Sequence, residues 1–188
     1  KAYNPEELIL DLRLCNYGTI ELARRLASYI VPSSLKDQIF LFTTWNERYA
    51  DNNSTYIYDA SVGSLELSRV FMLTSSYTQG AAEWLIKALQ QTMGEKNVIT
   101  IGASTKGQNV MTQHVASGYG HQLFPAVAYV TDASGDYTSG SVAPTYSVSE
   151  SSTSYMLSMT EFGSPTETLI ASALSVMFNT EEDEEGEE

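Results

Sequence analysis

Residues 70–89 read Val-Phe-Met-Leu-Thr-Ser-Ser-Tyr-Thr-Gln-Gly-Ala-Ala-Glu-Trp-Leu-Ile-Lys-Ala-Leu, and this stretch decides the fold. It opens with a short apolar run of β-branched and aromatic residues, which predicts a buried strand. After a polar turn, apolar residues recur at helical spacing from Ala81 to Leu89 and predict a helix with one apolar stripe. Enzymes of the α/β class often carry a nucleophile at such a junction, because the helix N-terminus stabilises negative charge. The residue at this junction is Gly80, which has no side chain.

The flanking sequence alternates short apolar strands with helices, which predicts an α/β fold with a small antiparallel β portion. Strands are predicted at 8–13, 39–42, 56–58 and 98–101, an antiparallel pair at 110–115 and 122–130, and helices at 20–30 and from a capping box at 164–167 onward. Two polar segments, 46–64 and 137–160, are predicted to be a surface excursion and an irregular region.

The charge of the chain is unevenly distributed. The formal net charge is −13, and seven acidic residues within 181–188 account for more than half of it. Such a block predicts a disordered, solvated tail at 180–188 after a core at 1–179. The composition shows no basic nucleic-acid footprint and no apolar run of the roughly 20 residues that a membrane span needs. One cysteine excludes an internal disulfide framework.

Four motifs, in this order, resemble the catalytic core of the C-terminal processing (tail-specific) serine peptidases. Residues 8–13 end in Asp-Leu-Arg, as an apolar strand of that family does, and 70–89 resemble its strand, turn and nucleophile helix. Residues 101–108 resemble its Gly-x-x-Thr-x-Gly-Lys loop, and 139–144 followed by 162–165 resemble its closing turn and final helix. The resemblance implies a crotonase-like/Clp-protease-like α/β fold. It also implies that the family's upstream PDZ-type domain is not in this chain.

The chain departs from the family at each position that the chemistry requires. Gly80 stands at the position of the nucleophilic serine, and Gln108 at that of the general-base lysine. Residues 15–18 read Cys-Asn-Tyr-Gly where the family has a glycine-rich loop that supplies oxyanion-hole N–H groups. By this resemblance the oxyanion-loop positions are Asn16, Tyr17, Gly18 and Ala81. Acyl transfer needs a nucleophile, a base and preorganised donors, and all three are altered.

Other residues could replace the missing groups. Ser75 and Ser76 are the fallback nucleophile candidates, although serines in turns usually form local hydrogen bonds. Lys106 could replace the base lysine, but its register in the loop favours a solvated side chain. Cys15 could be a nucleophile, although a lone cysteine at a strand end is more often packed and inert.

Several further residues have both a functional and a structural interpretation. His114 and His121 could form a base or a metal pair, but no carboxylate accompanies them, so no metal site is predicted. Glu83 lies in the first helical turn, where the helix dipole alone explains a carboxylate. Trp84 and the tyrosine-rich segments 49–58 and 137–155 suggest a carbohydrate or peptide platform, or ordinary half-buried strand residues.

Three functions follow from these observations. The favoured one is a tail-specific peptidase-like domain that has lost catalysis and binds peptide segments, such as unfolded protein C-termini. The second is an active serine-type endopeptidase that cleaves protein C-termini with other residues, and the third is a structural or scaffolding subunit. No cofactor is implied. The family resemblance places the protein outside the cytoplasm, in the periplasm or at the cell surface of a bacterium.

Overall fold

The computed structural model describes residues 5–108, 110–116, 118–135, 140–150 and 160–179. The predicted acidic tail at 180–188 lies outside the described residues. The strands are β1 (Ile9–Asp11), β2 (Ile39–Trp45), β3 (Ser54–Ile57), β4 (Val70–Thr74), β5 (Val98–Gly102), β6 (Val110–Thr112), β7 (Val115–Ala116), β8 (Gln122–Leu123), β9 (Ala126–Thr131) and β10 (Tyr146–Ser147), and the α-helices are α1 (Ile20–Ile30), α2 (Ala81–Met93) and α3 (Thr168–Asn179).

A parallel sheet in the order β1-β4-β5-β10 forms the centre of the fold. Both of its faces are covered, which explains why β4 is a continuous apolar run. On one face, Phe71 and Leu73 pack with Leu169 of α3. On the other, Val70 and Met72 belong to a cluster with α1 and α2.

A second, antiparallel sheet in the order β3-β2-β9-β6 contributes to the same cluster as α1 and α2. Helix α2 is therefore covered by more than one layer. Ala82, Glu83, Trp84 and Ile86 are buried in addition to the predicted stripe. The single apolar stripe predicted for this helix was too narrow, because a helix packed on several sides is apolar nearly all round.

Most predicted elements are confirmed. The strands predicted at 39–42 and 98–101 and the helix at 20–30 are present, and the Thr19 side chain caps α1 by accepting a hydrogen bond from Leu22 N at 3.2 Å. The antiparallel pair near 110–130 is also present, but each strand is divided. β6 pairs with β9, while β7 and β8 form a separate two-stranded ribbon.

The capping box predicted at 164–167 was wrong, since α3 begins at Thr168. The carboxylate of Glu167 pairs with Arg13, at 2.7 Å from its Nη1 atom. The Ser164 hydroxyl instead accepts a hydrogen bond from Thr166 N at 3.3 Å. A buried ion pair has outweighed the local helix-capping signal.

Two predictions for polar segments need correction. The surface excursion predicted at 46–64 includes β3, and only part of that strand was predicted. The segment then enters the core, since Tyr58 is 2% exposed and donates a hydrogen bond to Ala88 O at 3.0 Å. Burial raises the pKa of Tyr58 to about 12. In the region predicted to be irregular, β10 pairs in parallel with β5, while 136–139 and 151–159 lie outside the described residues.

Candidate active site

Three loops meet at one edge of the parallel sheet, because they follow the carboxyl ends of β1, β4 and β5. Backbone hydrogen bonds join them: Gln79 N donates to Cys15 O at 3.0 Å, and Lys106 N donates to Thr78 O at 2.9 Å. The loops carry the predicted oxyanion, nucleophile and base positions. Topology thus explains how residues far apart in the sequence come together.

Gly80 is buried at the N-terminus of α2, with φ 61° and ψ −119°. This left-handed conformation favours glycine and is strained for other residues. A Cβ atom added here would lie 3.9 Å from both Cδ and Nε2 of Gln108. A side chain at position 80 would therefore contact the Gln108 amide.

Glu83 fixes the base loop against the start of α2. Its carboxylate is 2% exposed and accepts hydrogen bonds from Gly80 N at 2.9 Å, Gly107 N at 2.6 Å and Gln108 N at 2.8 Å, and also from the Thr105 hydroxyl. The helix dipole is thus only part of the explanation for Glu83. Sequence reasoning missed its role in the loop, because the contacts span more than twenty residues.

A cleft of about 480 Å³ opens beside Gly80. Its walls are Asn16, Tyr17, Gly18, Thr19, Ile20, Glu21, Tyr56, Gly80, Ala81, Trp84, Gln108, Val110, Met111, Thr112, His114 and Phe124. All six positions assigned by resemblance to the nucleophile, the base and the oxyanion loop line this cleft. Trp84 lines it as a largely buried residue, and its indole Nε1 donates a hydrogen bond to Gln108 O at 3.2 Å.

The fallback serines, Lys106 and Cys15 do not line the cleft. The Ser75 hydroxyl donates to Arg13 O at 2.5 Å and accepts from Tyr77 N at 3.0 Å, while Ser76 is exposed. Lys106 is exposed, and burial raises the pKa of the Cys15 thiol, which keeps it protonated.

The two histidines lie in different surroundings. His114 lines the cleft and packs on Phe124, with ring centroids 5.2 Å apart. His121 precedes β8, is exposed and does not line the cleft. The alternative in which His114 and His121 act as a pair is therefore not supported at the cleft, where only His114 lies.

The Asp-Leu-Arg end of β1 anchors the site to the last helix. Arg13 is 5% exposed, and its guanidinium contacts Asp11 at 2.7 Å, Glu150 at 2.6 Å and Glu167 at 2.7 Å. Hydrogen bonding to Asp11, above all, raises the pKa of Arg13. Burial acts to raise the pKa of Asp11, but the hydrogen bonds and charge of Arg13 together lower it. The network holds the loop after β1 in place.

A separate open hollow of about 720 Å³ lies along the outer side of α2. Lys87 lines it and donates a hydrogen bond to Gly140 O at 3.1 Å, and burial lowers the pKa of its ammonium group. None of the candidate catalytic positions lines this hollow. Lys87 is therefore not a substitute for the base at position 108.

Close packing at Gly18 gives a testable prediction. A Cβ atom added there would lie 2.7 Å from Ala81 Cβ. We expect Gly18→Ala to lower the free energy of unfolding by about 1–3 kcal/mol through overpacking, and Ala81→Gly in the same chain to restore part of it. Urea denaturation measures both effects. Gly63→Ala is the control, since a Cβ at Gly63 has no atom within 4 Å; equal effects at the two glycines would contradict the prediction.

The parallel sheet, its loops and the cleft at its carboxyl edge define an α/β domain with a candidate active site at the ends of the parallel strands. A model of peptidase family S41 matches residues 1–148, and the chain belongs to that family. The predicted resemblance to C-terminal processing peptidases is confirmed.

Several solved structures share the fold. A protein from Bacteroides fragilis described as a putative S41 protease is 28% identical with a TM-score of 0.84, over 93% of this chain and 45% of the other. The photosystem II D1 C-terminal processing protease is 19% identical with a TM-score of 0.59, over 78% and 35%. A lipoprotein from Streptococcus agalactiae is 19% identical with a TM-score of 0.54, over 77% and 51%. The predicted α/β, crotonase-like fold is confirmed.

The chain spans about half or less of the length of these three structures. No curated protein matches the sequence. Among the described residues, no helix is long and apolar enough to cross a membrane.

Proposed function

We propose that this chain is an S41 peptidase domain that has lost catalysis and binds extended peptide segments in the cleft beside Gly80. The observation that carries the proposal is the pairing of Gly80 with Gln108, which face each other where the family's chemistry requires a serine and a lysine. A glycine supplies no nucleophile, and a neutral amide accepts no proton at physiological pH. The cleft itself remains open and lined with aromatic and apolar side chains.

The alternative of an active endopeptidase has less support. Ser75 is held by two hydrogen bonds in its turn, and neither Ser75 nor Ser76 lines the cleft. The scaffolding alternative differs from our proposal in requiring no ligand. Peptide binding therefore separates these two non-catalytic functions.

The proposal extends to the organisation of the protein and to its location. Residues 1–179 form the peptidase-like core and 180–188 a dispensable acidic tail, with the family's PDZ-type module outside this sequence. The family resemblance supports a location outside the cytoplasm. Fractionation of cells that produce the protein tests this location.

Binding of an extended peptide is the second testable prediction. Strand addition supplies main-chain hydrogen bonds largely independent of sequence, and β6 is an edge strand that lines the cleft. We expect at least one unstructured C-terminal peptide in a panel to show weak, saturable binding by calorimetry. Tyr17→Ala, which removes an 88% exposed ring from the cleft wall, should weaken it. Absence of binding across the panel would favour the scaffolding function.

A further inference from the structure

A second groove lies next to the candidate cleft, on the antiparallel sheet. It has a volume of about 630 Å³ and contains the side chains of Trp45, Tyr49 and Tyr56. The rings of Trp45 and Tyr49 meet edge to face, with centroids 6.4 Å apart, and Tyr49 is 50% exposed. These aromatic side chains come from β2, β3 and the turn between them, so the sheet itself assembles the groove.

The groove and the cleft are adjacent. Tyr56 and Met111 line both of them. A chain lying beside Gly80 that passes over Tyr56 and Met111 would reach the aromatic groove.

The chemistry of the groove limits what it can bind. No charged side chain lines it; besides the aromatic rings, it presents the exposed amides of Asn46, Asn52 and Gln113. Aromatic faces with nearby hydrogen-bond donors are the surface that proline-rich peptides use, because the polyproline II helix presents pyrrolidine rings and free carbonyl groups. The Arg48 guanidinium already lies 5.9 Å from the centroid of the Tyr49 ring, so a basic segment would meet a like charge at that ring.

We infer that the groove formed by Trp45, Tyr49 and Tyr56 binds an uncharged, proline-containing segment of the same peptide that occupies the cleft. The inference rests on the proposed peptide binding and adds a substrate class to it. A carbohydrate would also suit aromatic rings and amides. The position of the groove beside a peptidase-type cleft favours the peptide, since an extended peptide bound beside Gly80 can run over Tyr56 and Met111 into the groove.

Calorimetric titration tests the inference with synthetic peptides of about ten residues, roughly 33 Å when extended. One peptide is uncharged and contains Pro-x-x-Pro, a second has the same length with Lys and Glu in place of the prolines, and a neutral oligosaccharide is the third ligand. We expect the first peptide to bind more tightly than the second, because only the first occupies the groove as well as the cleft, and we expect no binding of the oligosaccharide. Trp45→Ala should weaken it by about tenfold or more, as for a central aromatic anchor, and Trp45→Phe should weaken it less.

The chain contains a matched control and an internal reporter. Tyr29→Ala removes a 40% exposed ring that lines neither hollow and should leave affinity unchanged. Of the two tryptophans, Trp84 is 8% exposed and Trp45 is more exposed, so an aqueous quencher reports mainly on Trp45. Bound peptide should protect Trp45 from the quencher. The same signal shows whether the Tyr29→Ala variant has folded.

The outcomes separate this inference from the proposed function. If peptides bind and Tyr17→Ala weakens binding while Trp45→Ala does not, the groove inference is overturned and peptide binding in the cleft stands. If the oligosaccharide binds and Trp45→Ala abolishes that binding, the groove is a carbohydrate site and the inference is overturned. If no peptide binds, both are overturned.

Discussion

The wild-type chain should leave fluorogenic peptides uncleaved and should not be labelled by a fluorophosphonate probe. Gly80 offers no oxygen to attack a carbonyl, and Gln108 offers no base. In a serine protease, loss of the nucleophile or of the base lowers kcat by about 10⁶-fold. The acceleration that remains, from binding and oxyanion stabilisation, is about 10³–10⁴ over water.

Restoring one residue should not rescue activity. Gly80→Ser has room for its side chain, with the nearest atoms 3.9 Å from the added Cβ, but φ of 61° makes the residue strained by about 1–3 kcal/mol. It would also lack a base. Gly80→Ser with Gln108→Lys supplies both groups, yet the loop at 15–18 keeps only one glycine. Loss of one oxyanion donor costs about 10²–10³ in kcat, so we expect trace turnover at most.

The same assay carries its own controls. Gly63→Ser adds a serine at an open surface glycine and should remain unlabelled. Labelling of the wild-type chain would overturn the loss of catalysis and direct attention to Ser75 or Ser76. Strong activity in the double variant would support the assigned positions and show that the oxyanion donors are still in place.

Arg13→Met should lower the free energy of unfolding by about 3–5 kcal/mol, because it leaves the buried Glu167 carboxylate without its cation. Urea or thermal denaturation measures the loss. Arg24→Met is the matched control: the partner of Arg24, Glu21, is 62% exposed, and pairs of this kind contribute about 0–1 kcal/mol. Adding Glu167→Leu to Arg13→Met should recover stability. Equal, small losses at both arginines would contradict the prediction.

Features of the fold that depend on neighbouring residues could be predicted from the sequence. The Thr19 cap of α1 is one example, since the N–H group that it accepts from, on Leu22, lies three residues away. The apolar run of β4 is another, since it reflects only the burial of that strand. β10 could not be predicted, because it has two residues and exists through its pairing with β5.

Two glutamates show where local reasoning ends. Glu83 and Glu167 each follow a helix-start signal, and Glu83 does accept a hydrogen bond from the backbone at the N-cap. Glu167 instead binds Arg13, which is 154 residues away in sequence. A capping bond contributes about 1 kcal/mol, so a buried cation outweighs it. Sequence pattern does not reveal that cation.

The candidate site also has a part that could be predicted from the sequence and a part that could not. Its positions at 16–18, 80–81 and 108 follow from motifs resembling those of the family, and the structure places them around one cleft. The neighbouring aromatic groove depends on which residues of β2 and β3 lie side by side in the sheet. Tyrosine content suggested a recognition surface but did not locate it.

The way in which Glu83 holds the base loop bears on how such a domain changes during evolution. Its carboxylate binds main-chain N–H groups of Gly107 and Gln108, so the loop keeps its shape whatever side chain position 108 carries. The base could therefore be lost without loss of the binding cleft. Among relatives that have abandoned peptide cleavage, we expect the residue at position 108 to vary freely while the acid at 83 persists, and glycine to be favoured at position 80 by its positive φ.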